Sequence, residues 1–194
     1  LKSTKVTSAP AENATIDPLW ADAEAVEIHT IVPPYTAESD GHDIWWDEYE
    51  GDESVLTMKS VYTDDDIYFL FQWTDSDESR KRMAWYYHPD ADPANAKWLQ
   101  MGKKIPDEFG NPPAYEDKFT MFWGITGTTF ESSGCASYCH GVRMGTNSAD
   151  ELLDIWHWKS DRTAPVFQID DKWLNNDENG RHGDEGSGAY SSNK

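Results

Sequence analysis

Val55-Leu56-Thr57-Met58-Lys59-Ser60-Val61-Tyr62, Thr63-Asp64-Asp65-Asp66 and Ile67-Tyr68-Phe69-Leu70-Phe71-Gln72-Trp73 read as a strand, a turn and a strand. The first run alternates as a half-buried strand does, and the acidic tetrapeptide supplies turn chemistry. The second run is apolar on both faces, which predicts a position at the centre of a sheet.

Outward from this hairpin, β signals dominate. Val26 to Val32 predicts an earlier strand, stopped by Pro33-Pro34. Lys118 to Ile125 predicts a later one, and Asp154-Ile155-Trp156-His157-Trp158-Lys159 is a short ordered piece of undecided type. Residues 74–117 hold five prolines and read as long connections, with one short helix expected near Ala94–Met101. The pattern predicts a mainly β chain: an antiparallel β-sandwich with long loops and few short helices. Residues 1–15 are expected to form a flexible amino-terminal arm, and residues 16–174 one domain. The polar, Gly-rich segment 175–194 is expected to be the edge of a longer protein. The start at Leu1 predicts a processed or trimmed product.

Composition narrows the function classes. The 194 residues include 10 Trp, 9 Tyr and 7 Phe, enough for a packed core. The mean hydropathy of -0.77 describes a wet surface. Asp and Glu number 36 against 16 Lys and Arg, a net charge of -20. Such a charge repels nucleic acid and suits a partner with a basic docking face. No apolar run approaches the roughly 20 residues of a transmembrane helix. The Asp64-Asp65-Asp66 and Asp170-Asp171 runs read as solvated turns; calcium is conceivable there, but neither has the spacing of a calcium loop.

Gly134-Cys135-Ala136-Ser137-Tyr138-Cys139-His140 contains both cysteines of the chain, followed directly by a histidine. Two thiols can form thioethers with haem vinyl groups while the adjacent imidazole ligates the iron. This assigns Cys135 and Cys139 to haem attachment and His140 to an axial position. The three residues between the cysteines are one more than the usual spacing, and a disulfide or another metal site is the competing reading. Zinc lacks a second Cys/His pair. For the other axial ligand the candidates are His157, Met144, Met58 and Met121. Tyr138, Trp156, Trp158, Lys159 and Arg162 are candidates for the haem environment, with Lys159 or Arg162 facing a propionate.

The segments Ile16-Asp17 to Trp20 with Ala25-Val26, Lys59 to Trp73, Asp154 to Lys159 with Arg162, and Gly180-Arg181 to Tyr190 carry a resemblance. They resemble the haem-binding subunit family of ethylbenzene dehydrogenase, dimethylsulfide dehydrogenase and related molybdenum enzymes, from about Ile16 to Tyr190. The resemblance implies a β-sandwich that binds haem and passes electrons. In the molybdenum-enzyme branch it implies haem b held by methionine and lysine, with Met144 of Met144-Gly145 the matching methionine and a disulfide left to the cysteines. Another branch, of exported c-type cytochromes, carries a segment similar to Gly134–His140, and this chain looks closer to it. The resulting expectation is an exported, periplasmic or extracellular electron-transfer protein using haem c. It would act without substrate turnover, alongside a redox partner, in a multi-haem assembly or a molybdenum enzyme complex. A haem-free surface β-sandwich binding module is the reading from a different class.

Overall fold

The hairpin read from the sequence is present: β3 (Glu53–Tyr62) and β4 (Ile67–Trp73) pair antiparallel from Tyr62↔Ile67 to Leu56↔Trp73. Thr63 closes the turn, its backbone N–H donating to the Asp66 carbonyl at 2.8 Å and its hydroxyl oxygen accepting from the Asp66 N–H at 3.1 Å. The structure is a computed structural model. It describes residues 1–12, 15–31, 51–75, 78–89, 97–102, 107–126, 129–134, 138, 145–178 and 180–183.

The chain divides into two compact units, one drawn from Leu1–Pro34 and Glu48–Asp77, while the described residues of the other fall within Glu78–Lys194. In the first unit, β2 (Ala25–Ile31) pairs antiparallel with the opposite edge of β3, from Ala25↔Lys59 to Ile31↔Glu53. β1 (Thr4–Lys5), inside the expected amino-terminal arm, pairs parallel with Val61 and Tyr62. β3 is therefore the central strand. β4 pairs only with β3 among the described residues, so the two-faced apolar run lies at an edge instead of the predicted centre. Along it, Phe69 and Phe71 stack at 6.0 Å. The core of this unit is Trp20, Ala23 and Val61, with Val6, Leu19, Tyr68 and Leu70 packed against them. Trp20 sits in a 3₁₀ turn (Pro18–Asp22) whose start is capped by Asp17 accepting from the Leu19 N–H at 2.8 Å.

The second unit holds two sheets. β5 (Trp85–Tyr87) and β6 (Trp98–Gln100) form a two-stranded ribbon. The expected helix near Ala94–Met101 is thus a strand over Trp98–Gln100, where aromatic pairing across the ribbon (Tyr87 against Trp98, 5.7 Å) overrides local helix propensity. The larger sheet is an antiparallel meander of β7 (Lys118–Thr126), β8 (Leu152–Lys159), β9 (Asp170–Leu174) and β10 (Arg181–Gly183), in the order β10-β9-β8-β7. The Asp154–Lys159 segment is strand. Among the described residues this unit includes a four-residue helical turn, α1 (Phe130–Ser133), and a 3₁₀ turn at Ala164–Val166. The chain is mainly β with long connections and short helices, consistent with the sandwich-like class expected from the sequence.

Candidate functional site

Successive side chains on a strand point to opposite faces, so the register of β8 sorts the candidates. Leu153, Ile155, His157 and Lys159 share one face. Opposite them on β7 stand Gly124, Phe122, Thr120 and Lys118; on β9 stand Leu174, Lys172 and Asp170. This face grades from apolar to charged along the strands.

The apolar end is the core of the unit: Leu153, Ile155 and Leu174 bury together with Tyr138, and Phe122 and Phe130 pack against them. Tyr138 comes from the middle of the Cys135–His140 run and is fully buried. Its hydroxyl lies 2.6 Å from Thr129 Oγ1 and donates to Glu151 Oε1 at 3.0 Å. Glu151 is held in turn by the N–H groups of Asn147 (2.9 Å) and Ser148 (3.2 Å) at its other oxygen. Burial raises the phenol's pKa above its ordinary value. An apolar ring with a satisfied polar tip fixes Tyr138 on this face. Cys135, Cys139, His140 and Met144 lie outside the described residues.

His157 occupies the middle of the gradient, between Thr120 and Asp170 in the register. Burial lowers its pKa to about 3, and the charges of Lys159 and Lys118 act in the same direction against Asp170. The imidazole is therefore neutral at any physiological pH, the protonation state that a metal-binding nitrogen requires.

The charged end is cationic. Lys159 and Lys172 are buried and share Asp170: Lys159 Nζ donates to Oδ2, and Lys172 Nζ to Oδ1 at 2.6 Å. Burial alone would raise the Asp170 carboxyl, but the two hydrogen bonds and positive charges outweigh it and leave the pKa lowered. The Asp170-Asp171 turn expected from the sequence is instead the start of β9, and Asp170 is a buried counter-ion. Arg162 Nε donates to buried Glu116 at 2.5 Å. The same carboxylate accepts from the Asp161 and Arg162 N–H groups at 3.1 Å each. Lys118 places its ammonium 3.5 Å from the centre of the Tyr115 ring, and burial lowers its pKa.

The opposite face carries Met121, Trp156 and Trp158. Met121 pairs with Trp156, and Phe119 with Trp158. Trp156 meets the Trp123 ring edge-on at 5.2 Å and donates from Nε1 to Asp154 at 3.1 Å. The sheet thus brings His157, Lys159 and Tyr138 to one face and sets the two tryptophans and Met121 on the other. Met58 belongs to the first unit, on β3 opposite Val26 and Phe71. Of the remaining histidines, His29 pairs with Glu53, His88 stacks on Phe109 at 3.8 Å, and His182 stacks on Trp173 at 4.1 Å. His42 lies outside the described residues.

The sequence model described as Ethylbenzene dehydrogenase matches residues 17–194. The chain belongs to the ethylbenzene dehydrogenase family. No curated protein and no solved structure matches it. The matched span contains the whole of the graded face, including residues that sequence reasoning did not single out, Thr120, Lys118, Lys172 and the Glu116 carboxylate, and Asp170, which it read as part of a solvated turn. The alternation of Asp170, Lys172 and Leu174 against Asp171 and Trp173 was the available signal for β9. Among the described residues no three His, Cys, Asp or Glu side chains converge as a metal site. No helix among the described residues is long and apolar enough to cross a membrane.

Proposed function

We propose that this member of the ethylbenzene dehydrogenase family is an exported electron-transfer protein that carries haem c. In this reading Cys135 and Cys139 would hold the porphyrin, and His140 and His157 would ligate the iron. The observation that carries it is the half-buried imidazole of His157, neutral at physiological pH, on the face where Tyr138 is buried. An apolar surface, a neutral nitrogen and a cationic end fit the three parts of haem: its hydrophobic edge, its iron and its propionates. Lys118 and Arg162 suit the propionates better than Lys159, which is fully buried against Asp170. The haem supplies one-electron redox chemistry; the chain's own residues orient it, exclude water and set the charge around it. With His140 and His157 both holding the iron, the chain would transfer electrons without catalysing a reaction of its own. The net charge of -20 suits a redox partner with a basic docking face, in the periplasm or outside the cell.

A reduced pyridine-haemochrome spectrum before and after acid-acetone extraction tests this. The expected pigment stays with the polypeptide and shows a c-type band, and His157→Ala shifts the spectrum and potential of the holoprotein. Pigment that extracts as haem b would favour Met144 ligation with a Cys135–Cys139 disulfide. A colourless protein would sink both haem assignments.

A further inference from the structure

His157 has buried charges beside it on the sheet. In the β8–β9 register His157 stands opposite Asp170 and Ile155 opposite Lys172, while Lys159 lies on the same face of β8 two residues beyond His157. The side chains of Lys159, Lys172 and Asp170 belong to residues only 0%, 1% and 2% exposed. Two ammonium groups share one carboxylate, Lys159 Nζ on Oδ2 and Lys172 Nζ on Oδ1. Buried Thr163 pins the Lys159 backbone. Its hydroxyl accepts from the Lys159 N–H at 2.8 Å and donates to the Lys159 carbonyl at 3.1 Å. The charges are thus fixed in place and shielded from solvent.

Desolvating three ions is costly, and apolar residues of similar volume often serve a fold as well or better. A cluster of this kind next to a metal-binding nitrogen therefore calls for a role beyond packing. Its field reaches the imidazole. After the larger effect of burial, Lys159 and Lys118 oppose protonation of His157, Asp170 favours it, and Arg162 acts with the lysines. Positions two apart on a strand are separated by about 6.6 Å, and cross-strand partners lie closer. A unit charge about 10 Å from a redox centre, at an effective dielectric constant of about 20, shifts a one-electron equilibrium by on the order of tenfold.

We propose that the Lys159–Asp170–Lys172 cluster is an electrostatic control on the iron held by His157, each lysine raising its reduction potential and Asp170 lowering it. The inference rests on the haem reading of His157 and adds to it what sets the potential. One electron arriving from a redox partner lowers the positive charge at the iron by one, with no bond made or broken. A fixed cation nearby therefore favours the reduced state, and a carboxylate the oxidised one. Within the cluster the lysines outnumber the aspartate, so its balance favours reduction. The exposed carboxylates behind the net charge of -20 act through solvent and are screened by salt, whereas these three groups are not.

Redox titration of the natively produced holoprotein, followed by its visible spectrum, tests the inference. Lys172→Met should lower the reduction equilibrium constant about tenfold, about 59 mV for one electron, and Asp170→Asn should raise it by a similar factor. The double variant keeps the charge balance of the wild type, so its potential should return close to the wild-type value. Loosened packing would instead displace the double variant most. Lys172→Met leaves a one-to-one Lys159–Asp170 pair, so it and the double variant carry the test should Asp170→Asn fail to fold. The shifts should persist at about 1 M salt, where the Debye length is about 3 Å. Single variants that move the potential in the same direction would overturn the inference. So would a double variant displaced further than either, shifts lost at high salt, or shifts under about twofold. His157→Ala separates the two levels. If it alters the spectrum while the charge variants leave the potential flat, this inference falls alone. If it leaves spectrum and potential unchanged, the ligand assignment falls and this inference with it.

Discussion

Replacing Asp170 by asparagine removes the negative charge that the Lys159 and Lys172 ammonium groups share, all three side chains being buried. Asparagine keeps the shape but offers one acceptor where the carboxylate offered two, and turns an NH₂ toward a lysine. Breaking a buried ion pair from one side costs about 3–5 kcal/mol, because the partner charge stays desolvated. Against a total stability of about 5–15 kcal/mol that is a large fraction. Urea unfolding followed by far-UV circular dichroism should show a midpoint lowered by on the order of 2 M for the transition of the second unit. Lys172→Met in the Asp170→Asn background should recover part of the loss, a coupling that a double-mutant cycle measures. The pH sign follows from the lowered Asp170 pKa. Its contribution is present above the unfolded value of 3.8 and is lost as pH falls from there through the folded value. A loss under about 1 kcal/mol for Asp170→Asn would refute the reasoning, since only a hydrated pair is worth so little.

Three further outcomes follow from the same face. The His157 ring resonances of cofactor-free protein should not titrate between pH 8 and 5, because its pKa is lowered to about 3; a midpoint near 6.5 would show the ring to be solvated. The corresponding stability is present above the unfolded pKa of 6.5 and is lost as pH falls toward 3. Tyr138→Phe strips a donor from Glu151 and a partner from Thr129, and should cost about 1–3 kcal/mol by thermal denaturation. Gly124→Ala would set its new methyl 3.1 Å from Phe130 Cδ1. Phe130 is half-buried and can shift, so a loss of about 1 kcal/mol is expected, and a larger one would mean that α1 is locked against β7.

The strands were legible where their chemistry was local. The β3–β4 hairpin announced itself by alternation and by an acidic turn, and β7 by a run of aromatic residues. β4 was misplaced because a run apolar on both faces states only how much surface it has to bury. Which strand pairs with it is decided by segments remote in sequence, here Ala25–Ile31 and Thr4–Lys5 on the other edge of β3. β6 was hidden for the same reason: Trp98–Gln100 is a strand only because Trp85–Tyr87 pairs with it.

The site divides along a similar line. His157 and Lys159 could be named from the sequence because the Trp-His-Trp-Lys pattern is unusual. Alternation on β8 then separates what that pattern joins, turning Trp156 and Trp158 to the face away from His157. Proximity in sequence was taken for proximity in a pocket, and on a strand the nearest neighbours are the ones that cannot share one. The residues that do share the face, Thr120, Asp170 and Lys172, come from β7 and β9. Asp170 was read as solvated because adjacent carboxylates usually sit in solvated turns. Its burial depends on two lysines, one of them eleven residues back along the chain. A buried carboxylate is thus a property of its partners, and no local pattern around Asp170 could have announced it without the register that brings Lys159 to its side.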